Sequence, residues 1–412
     1  MSNNSYKKIL LLFSSNSLAQ IIPLLFAPVL SRLFTPDEFG YLALFVAIST
    51  FLSSTATLRL ELAITSAETK KEAFILFKLS LIFISTLVLV GYIILLLLYF
   101  FNVFNTLSSY DILAVSLTSW VIGIGIVMNF YSLRQVQYKM IAKAGVLRSL
   151  IQTGGQLSFG FLGLSKLGLV ISYILSSLAF SLSFVKQIII DYKYFGKTHL
   201  TEYKCTLKKN KDFPLYSVWS SLMNNFSLSS VVFFLSYLFK QNEVGLYSFG
   251  VKYLNAPLMI IGTSISSVFF EESSKLIGLE LKNLFKKNLI MLTTTALIIF
   301  TPIFIYVEDF FPILFGNEWK STGYIIKILT PLLVMKFISN PISFVLYSLK
   351  KQKIELCMQL IFLFLNVSVW CLSLTLHLNF EYSLKLYSFS LAAYYALSIG
   401  VYYLIIKRNA RI

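Results

Sequence analysis

Apolar segments long enough to cross a membrane recur twelve times along this chain of 412 residues. A bilayer core is about 30 Å thick, so a spanning helix needs roughly 20 mainly apolar residues. With 57% hydrophobic and only 13% charged residues, the chain is predicted to be an all-α polytopic membrane protein. We predict transmembrane helices at 9–31, 39–67, 74–101, 110–133, 145–163, 167–190, 214–239, 244–270, 288–307, 322–348, 354–376 and 383–406.

The basic residues between these spans predict their orientation. With a cytoplasmic N-terminus, 26 of the 35 Lys and Arg residues fall in inner segments and 5 in outer corners. This is the positive-inside bias, which places both termini in the cytoplasm. The net charge of +17 therefore reflects topology, and we expect membrane lipids rather than nucleic acid as partners.

The largest hydrophilic segment lies at the centre of the chain and leaves six spans on each side. A shift of 205 residues aligns Leu33, Glu38 and Gly40 with Leu238, Glu243 and Gly245, which indicates an internal repeat. We predict two pseudo-symmetric six-helix lobes around a central cavity. The predicted boundaries are an N-lobe at 1–190, a cytoplasmic basic linker at 191–213 and a C-lobe at 214–412.

Charged side chains inside the predicted spans give the main indication of function. Arg59 lies in a segment of 28 residues, Gly40 to Ala67, which as one helix would be roughly 42 Å long. Glu61 is the one clearly buried acid, and because it is two residues from Arg59 the two should not face each other on a helix. Surplus positive charge predicts an anionic ligand, such as a phosphate or pyrophosphate. The four cations more than four residues inside a span are Arg59, Lys252, Lys327 and Lys336.

Three of these cations also have a simpler interpretation. Arg59 and Lys327 could extend to the nearer interface, and Lys336, the deepest charge, could pair with Glu61 across helices. The helix that carries Lys336 also contains Pro331 and Pro341, and interrupted helices are typical of transporter cores.

Polar side chains form stripes on the first and seventh spans. Asn16 and Gln20 are four residues apart, and Asn224 and Asn225 lie with neighbouring serines near a helical period. Such stripes predict a shared hydrated cleft, although interhelical hydrogen bonds in a dry bundle would produce the same pattern. The three cysteines and two histidines have no metal-binding spacing, so no cofactor is expected.

Several motifs resemble Wzx-type flippases of O-antigen and other polysaccharide repeat units, within the multidrug/oligosaccharidyl-lipid/polysaccharide exporter superfamily. They are PVLSRLFTPDEFG at 28–40, LRLELAI at 58–64, EVGLY at 243–247, VFFEE at 268–272 and FGNEW at 315–319. The resemblance implies two six-helix lobes whose cavity opens alternately inward and outward. It also implies a polyprenyl-pyrophosphate-linked oligosaccharide as cargo, moved from the inner to the outer leaflet.

The resemblance extends to individual residues. Arg32 and Arg59 match places where related lipid flippases keep cavity arginines, and Lys252 falls in a cavity-lining helix. We therefore expect a flippase, not an enzyme, in a bacterial inner membrane, acting in O-antigen-like or lipopolysaccharide synthesis. A polysaccharide polymerase and a chain-length regulator are the expected protein partners.

Roles for the remaining polar residues complete this expectation. Arg59, Lys252, Lys336 and Arg32 would bind the pyrophosphate, and Glu61 would couple an ion. The alternatives are a multidrug antiporter of the same superfamily, a membrane polymerase or glycosyltransferase, and a structural subunit. The residues expected to hydrogen-bond sugar hydroxyls are Asn16, Gln20, Asn224 and Asn225.

Overall fold

The computed structural model describes residues 3–101, 103, 107–195, 198–349 and 351–409, with side chains from Ser17 onward except at 216, 352 and 409. Helices joined by short turns make up this part of the chain, and it contains no β-strand. The all-α prediction is therefore confirmed. The chain forms two compact units, Met1–Tyr237 and Leu238–Ile412.

Unit 1 contains ten α-helices and one π-helical turn among its described residues. The π-helical turn spans Phe213–Ser217 and leads into the last helix. The helices are α1 (Asn3–Leu33), α2 (Pro36–Ala56), α3 (Leu60–Ser66), α4 (Lys70–Phe100), α5 (Ser109–Arg134), α6 (Tyr138–Phe161), α7 (Ser165–Leu182), α8 (Val185–Phe195), α9 (Leu200–Lys209) and α10 (Val218–Leu238).

Unit 2 contains six α-helices and a short 3₁₀-helix in the part that the structure describes. The 3₁₀-helix, Asn317–Trp319, turns the chain between two long helices. The α-helices are α11 (Gln241–Ser273), α12 (Gly278–Phe315), α13 (Lys320–Ser343), α14 (Val345–Ser348), α15 (Gln352–Thr375) and α16 (Phe380–Asn409).

Each of the twelve predicted spans coincides with one helix or with two consecutive helices. Within the described residues, ten helical segments are long and apolar enough to cross a membrane. The apolar part of α1 found there, Ser17–Leu33, is shorter. In α6 the hydrophobicity is diluted by Gln152, Gln156 and four glycines.

The start of α2 shows how local sequence places these helices. Glu38 N donates to Thr35 Oγ1 at 3.4 Å, and Thr35 N donates to Glu38 Oε2 at 2.8 Å. This capping box satisfies two backbone N–H groups at the helix start, and Pro36 occupies a position where its missing N–H costs nothing. Residues 34–37 thus form the corner predicted between the first two spans.

The prediction of one continuous helix from Gly40 to Ala67 is wrong. Helix α2 ends at Ala56, and α3 begins at Leu60. Between them Leu58 and Arg59 have φ of 49° and 59°, in the left-handed region. Because non-glycine residues seldom adopt this conformation, the break is a defined feature of the backbone.

The tenth predicted span is interrupted at a different place from the one its prolines suggest. Helix α13 continues through both Pro331 and Pro341 and ends at Ser343. Phe344 separates it from α14. The carbonyls that the two prolines leave without helical partners therefore lie within α13.

The basic segment predicted as a linker is folded against unit 1. Helix α8 continues α7 after a short interruption, and α9 packs on α4. Tyr203 and Leu207 of α9 contact the buried core formed around Phe74 and Phe77. The lobe boundaries themselves stay a prediction, although α10, assigned to the C-lobe, falls within unit 1.

The segment from Glu271 to Lys287, expected to be a short surface helix or a connector, mostly belongs to two long helices. Helix α11 continues to Ser273, and α12 begins at Gly278, so only residues 274–277 form a turn. Leu281 and Phe285 are buried, because this face of α12 packs inside unit 2 rather than on a membrane surface.

Candidate functional site

A cavity of about 300 Å³ lies between α11 and α13 in unit 2. Its walls are mostly apolar, with a few amide and hydroxyl groups and one charged side chain, Lys336. Concave, mainly apolar sites with few polar groups are typical of small-ligand binding. The lining residues are Asn255, Leu258, Met259, Gly262, Thr263, Ser266, Leu333, Lys336, Phe337, Asn340, Pro341, Ser343 and Phe344.

Lys336 is the only charged side chain among those lining residues. It is half-buried, and the described part of the chain gives it no hydrogen bond or ion pair. An ammonium group in a membrane span is costly and usually faces a polar cavity or a partner. The position of Lys336 therefore favours an anionic or strongly hydrogen-bonding ligand in this cavity.

Two asparagines that precede prolines add neutral polar groups to the cavity. Asn255 lies two residues before Pro257 on α11, and Asn340 lies immediately before Pro341 on α13. Each proline lacks the N–H that would bond the carbonyl four residues earlier. Pro341 leaves the carbonyl of Phe337 without this bond, and Phe337 lines the cavity. We did not predict either asparagine, although an Asn close to a Pro inside an apolar span was the available signal.

The other two cations of unit 2 are placed differently. Lys252 does not line the cavity, is exposed, and has its Nζ 5.1 Å from the ring centroid of Tyr253. Lys327 Nζ lies 2.9 Å from Glu308 Oε1. Glu308 follows the ninth predicted span, and it reaches Lys327 because α12 extends to Phe315.

Arg59 and Glu61 meet at the break between α2 and α3 in unit 1. Arg59 Nη1 lies 3.4 Å from Glu61 Oε1, and the Glu61 side chain is 3% exposed. The expectation that these residues face apart is wrong, because the left-handed backbone at Arg59 replaces the helix on which it was based. Arg59 Nε and Glu61 Oε2 are buried without a hydrogen-bond partner in the described chain.

Hydroxyl side chains account for the end of α2 at this point. Thr55 Oγ1 donates to the carbonyls of Phe51 and Leu52, and Thr57 Oγ1 donates to that of Ser54. Ser and Thr side chains compete in this way with helical hydrogen bonds and often bend helices. The run from Ser53 to Thr57 was the signal for the break, and the high hydropathy on either side concealed it.

Asn225 also reaches the last turns of α2. Its Nδ2 donates to Ser54 Oγ at 2.9 Å and to Ser221 Oγ at 3.1 Å. Asn224, its neighbour, is exposed. The two predicted sugar-binding amides of α10 are thus in different surroundings, and Asn225 is held in a helix-to-helix contact within unit 1.

The remaining predicted residues lie on α1. Gln20 is half-buried, and Arg32 is exposed with its Nη1 donating to the Pro28 carbonyl at 3.1 Å. The side chain of Asn16 lies outside the described residues. No cluster of His, Cys, Asp or Glu that could hold a metal ion occurs in the described chain.

Comparison with known proteins identifies the family of this chain. The family model for polysaccharide biosynthesis proteins matches residues 29–324. The chain belongs to this family. No curated protein matches it. The match to the polysaccharide biosynthesis family includes Arg32, Arg59, Asn225 and Lys252, and it ends before Lys336.

Solved structures share the fold of this polysaccharide biosynthesis protein across almost its whole length. Lipid II flippase MurJ, in an inward closed conformation, has 14% identity and a TM-score of 0.71, covering 98% of this chain and 91% of that chain. A multidrug resistance MATE transporter of the MOP superfamily, inward-facing, has 15% identity and a TM-score of 0.60, covering 97% and 94%.

A third similar structure is a MOP superfamily transporter from Pyrococcus furiosus, described as having a binding pocket of reverse polarity that suggests a different function. It has 14% identity and a TM-score of 0.62, covering 98% of this chain and 96% of that chain. These likenesses show that the chain has the fold shared by MurJ and MATE transporters. This fold and the ten long apolar helices among the described residues support a multi-pass membrane protein.

Proposed function

We propose that this protein is a flippase that moves a polyprenyl-pyrophosphate-linked oligosaccharide from the inner to the outer leaflet. The observation that carries the proposal is Lys336, a cation without a partner in the described chain, in the cavity between α11 and α13. Membership of the polysaccharide biosynthesis family supports a saccharide cargo. The fold shared with a lipid II flippase supports translocation of a lipid-linked substrate.

The chemistry of the cavity suits the pyrophosphate end of such a substrate. Lys336 supplies positive charge, and the side-chain amides of Asn255 and Asn340 supply further hydrogen-bond donors. A volume of about 300 Å³ is at the lower limit for small-molecule sites, so the cavity accommodates only part of the cargo. The polyprenyl tail would stay in lipid beside the protein.

The other predicted residues extend this proposal to the whole chain. Arg59, Arg32 and Lys252 would supply further positive charge along the path of the pyrophosphate. Glu61, which forms an ion pair with Arg59, is proposed for ion coupling. The amides proposed to bond sugar hydroxyls are those of Asn16, Gln20, Asn224 and Asn225.

The membrane potential would favour this direction of transport. Moving one negative charge outward across an inside-negative membrane is favoured by about 2.3 kcal/mol per 100 mV. We propose a bacterial inner membrane with both termini cytoplasmic, and O-antigen-like polysaccharide or lipopolysaccharide synthesis as the pathway class. A polymerase and a chain-length regulator would act on the translocated product.

A multidrug antiporter would need a different cavity. A site for cationic drugs is expected to carry acidic side chains, and none of the described residues that line the cavity between α11 and α13 is Asp or Glu. The charge of this cavity therefore favours an anionic cargo over a cationic drug.

The proposal is tested by translocation in proteoliposomes that contain the purified protein and a fluorescent polyprenyl-pyrophosphate oligosaccharide. A membrane-impermeant quencher reports the labelled lipid that reaches the outer leaflet. Lys336→Ala should reduce the initial rate at least tenfold, whereas Lys336→Arg should retain much of it because the positive charge persists. Lys327→Ala is the matched control on the same helix, since Lys327 is paired with Glu308.

Two results would contradict the proposal. One is wild-type protein that gives no more translocation than empty liposomes. The other is a Lys336→Ala variant that reconstitutes normally and transports as fast as wild type.

A further inference from the structure

Helices α8 and α9 form a folded layer on one end of unit 1. Phe74 of α4 contacts Tyr192 and Phe195 of α8, with ring centroids 6.2 Å apart in both pairs. Lys78, one turn along α4, donates to Thr198 Oγ1 at 3.2 Å just before α9. Both helices therefore use the same part of α4 as their base.

Charged and polar contacts fix the inner face of this layer. Lys71 pairs with Glu202, and Lys209 Nζ lies 3.0 Å from Glu68 and 3.1 Å from Glu72. Asp191 of α8 accepts a hydrogen bond from Tyr131 Oη at 2.8 Å. The layer is therefore held by contacts with both α4 and α5.

The opposite side of α9 has no such contacts. At 100° per residue, five of its six exposed side chains fall within a sector of roughly 140°. The sixth, Lys209, lies beside this sector and is paired with Glu68 and Glu72. Two lysines on the exposed side, Lys204 and Lys208, have no ion pair in the described chain, in contrast to Lys209 one residue later. The exposed residues of α9 in this sector are Leu200, Thr201, Lys204, Cys205 and Lys208.

Exposed apolar and aromatic side chains accompany these lysines. Leu200 is 73% exposed and Tyr194 is 78% exposed. Lys193 of α8 is exposed as well, also without an ion pair within the described residues. A helix face that combines lysines with an exposed apolar side chain is typical of a membrane interface.

We propose that the exposed face of α9 binds the headgroups of anionic phospholipids in the leaflet next to it. The charges are complementary, because no Asp or Glu lies on this sector of α9 to neutralise Lys204 and Lys208. The location is also suitable: α8 directly continues the apolar helix α7, so the layer lies where a span leaves the membrane. This inference does not depend on the proposed cargo.

The expected strength follows from the number of free lysines. One lysine near an anionic membrane surface changes the binding equilibrium by about fivefold at moderate ionic strength. Lys204 and Lys208 together should therefore shift the ratio of lipid-bound to lipid-free α9 by roughly 30-fold. Because the lysines are exposed, high salt should screen most of this effect.

Cys205 provides a direct probe, since it lies on the exposed sector beside Lys204. In a Cys357→Ser/Cys371→Ser background, a spin label on Cys205 is compared in nanodiscs of phosphatidylcholine and of phosphatidylcholine with phosphatidylglycerol. The measurement is the accessibility of the label to a water-soluble relaxation agent. Anionic lipid should lower this accessibility, and high salt should restore it.

Substitutions separate lipid docking from a general charge effect. Lys204→Gln/Lys208→Gln should remove the difference between the two lipid compositions, and Lys204→Arg/Lys208→Arg should keep it. Lys286→Gln/Lys287→Gln, which removes the same charge from exposed positions on α12, should leave it unchanged.

A label that reports equal accessibility in neutral and anionic nanodiscs would overturn the proposal and identify the sector as a solvated surface. A lipid-dependent change that survives Lys204→Gln/Lys208→Gln would also overturn it. Neither measurement requires transport, so failure of the proposed flippase activity would be recognised separately.

Discussion

Arg59 Nη1 and Glu61 Oε1 lie 3.4 Å apart across a break in the second membrane segment, although the two residues are only two positions apart in sequence. Glu61→Gln should destabilise the protein, because it leaves Arg59 without its counter-charge. The expected loss is about 1–2 kcal/mol, toward the lower end for a charged hydrogen bond since Arg59 is 35% exposed.

Thermal unfolding in detergent measures this loss, and the matching variants are Arg59→Ala and the double variant Arg59→Ala/Glu61→Ala. If the pair interacts as described, the double variant should be less destabilised than the sum of the single variants. Strict additivity would show that the contact contributes nothing.

Asn225 and Asn224 form a natural pair for testing a contact between α10 and α2. Asn225→Ala removes the hydrogen bonds to Ser54 and Ser221 and should cost about 0.5–1.5 kcal/mol. Asn224→Ala should be close to neutral for stability, because that side chain is exposed. Equal shifts in the unfolding temperatures of the two variants would contradict this assignment.

Gly323 allows α13 to approach α12 closely. A Cβ at this position would stand 2.8 Å from both Glu308 Cα and the Val307 carbonyl oxygen, which are backbone atoms that cannot move aside independently. Gly323→Ala should therefore destabilise unit 2 by roughly 1–3 kcal/mol and weaken the ion pair between Lys327 and Glu308.

Gly400 is the matched control for this substitution. It lies inside α16, and apart from its own helix backbone and chain neighbours no described atom lies within 4 Å of a Cβ placed there. Gly400→Ala should be neutral or stabilising by up to about 1 kcal/mol, since alanine favours helix. Thermal unfolding compares the two variants, and a Gly323→Ala protein as stable as wild type would exclude the close approach.

The packing of α9 on α4 should weaken at both acidic and strongly alkaline pH. The hydrogen bond from Lys71 holds the pKa of Glu202 below its ordinary value of 4.5. The stabilisation of α9 by this pair is therefore complete above pH 4.5 and is lost as pH falls through the lowered pKa. Glu68 and then Glu72 raise the pKa of Lys209 above 10.5, so its contribution is lost only as pH rises through that raised pKa.

A spin label on Cys205 reports release of α9 as increased mobility during an acid titration. Lys71→Gln should move the acid midpoint to higher pH, because the pKa of Glu202 then returns toward 4.5. A midpoint that does not change would show that Glu202 plays no part in holding α9 on α4.

Hydropathy alone was sufficient to locate the long apolar helices, because each span must bury about 20 apolar residues whatever its neighbours are. It did not locate α9, which is hydrophilic. The interruptions were harder to predict. Pro331 and Pro341 suggested a broken helix, yet α13 passes through both. Leu58 and Arg59 suggested no interruption, yet α2 ends just before them. The hydroxyls of Thr55 and Thr57 there donate hydrogen bonds to backbone carbonyls.

Pairing between helices is the part that the sequence does not contain. Glu308 was expected in an outer loop, and its contact with Lys327 depends on how far α12 continues and on Gly323 bringing α13 near. The sequence singled out Lys336, but its companions Asn255 and Asn340 become apparent only when α11 and α13 are placed side by side.

The folded state of α8 and α9 has a practical consequence for epitope and reporter insertion. A hydrophilic stretch in the middle of a membrane chain is the usual choice for an affinity tag, but a tag within Leu200–Lys209 would separate Lys71 from Glu202 and Lys209 from Glu68. The turn at residues 274–277 is a better insertion site, because Ile277 is 82% exposed and no atom lies within 4 Å of a Cβ placed at Gly278.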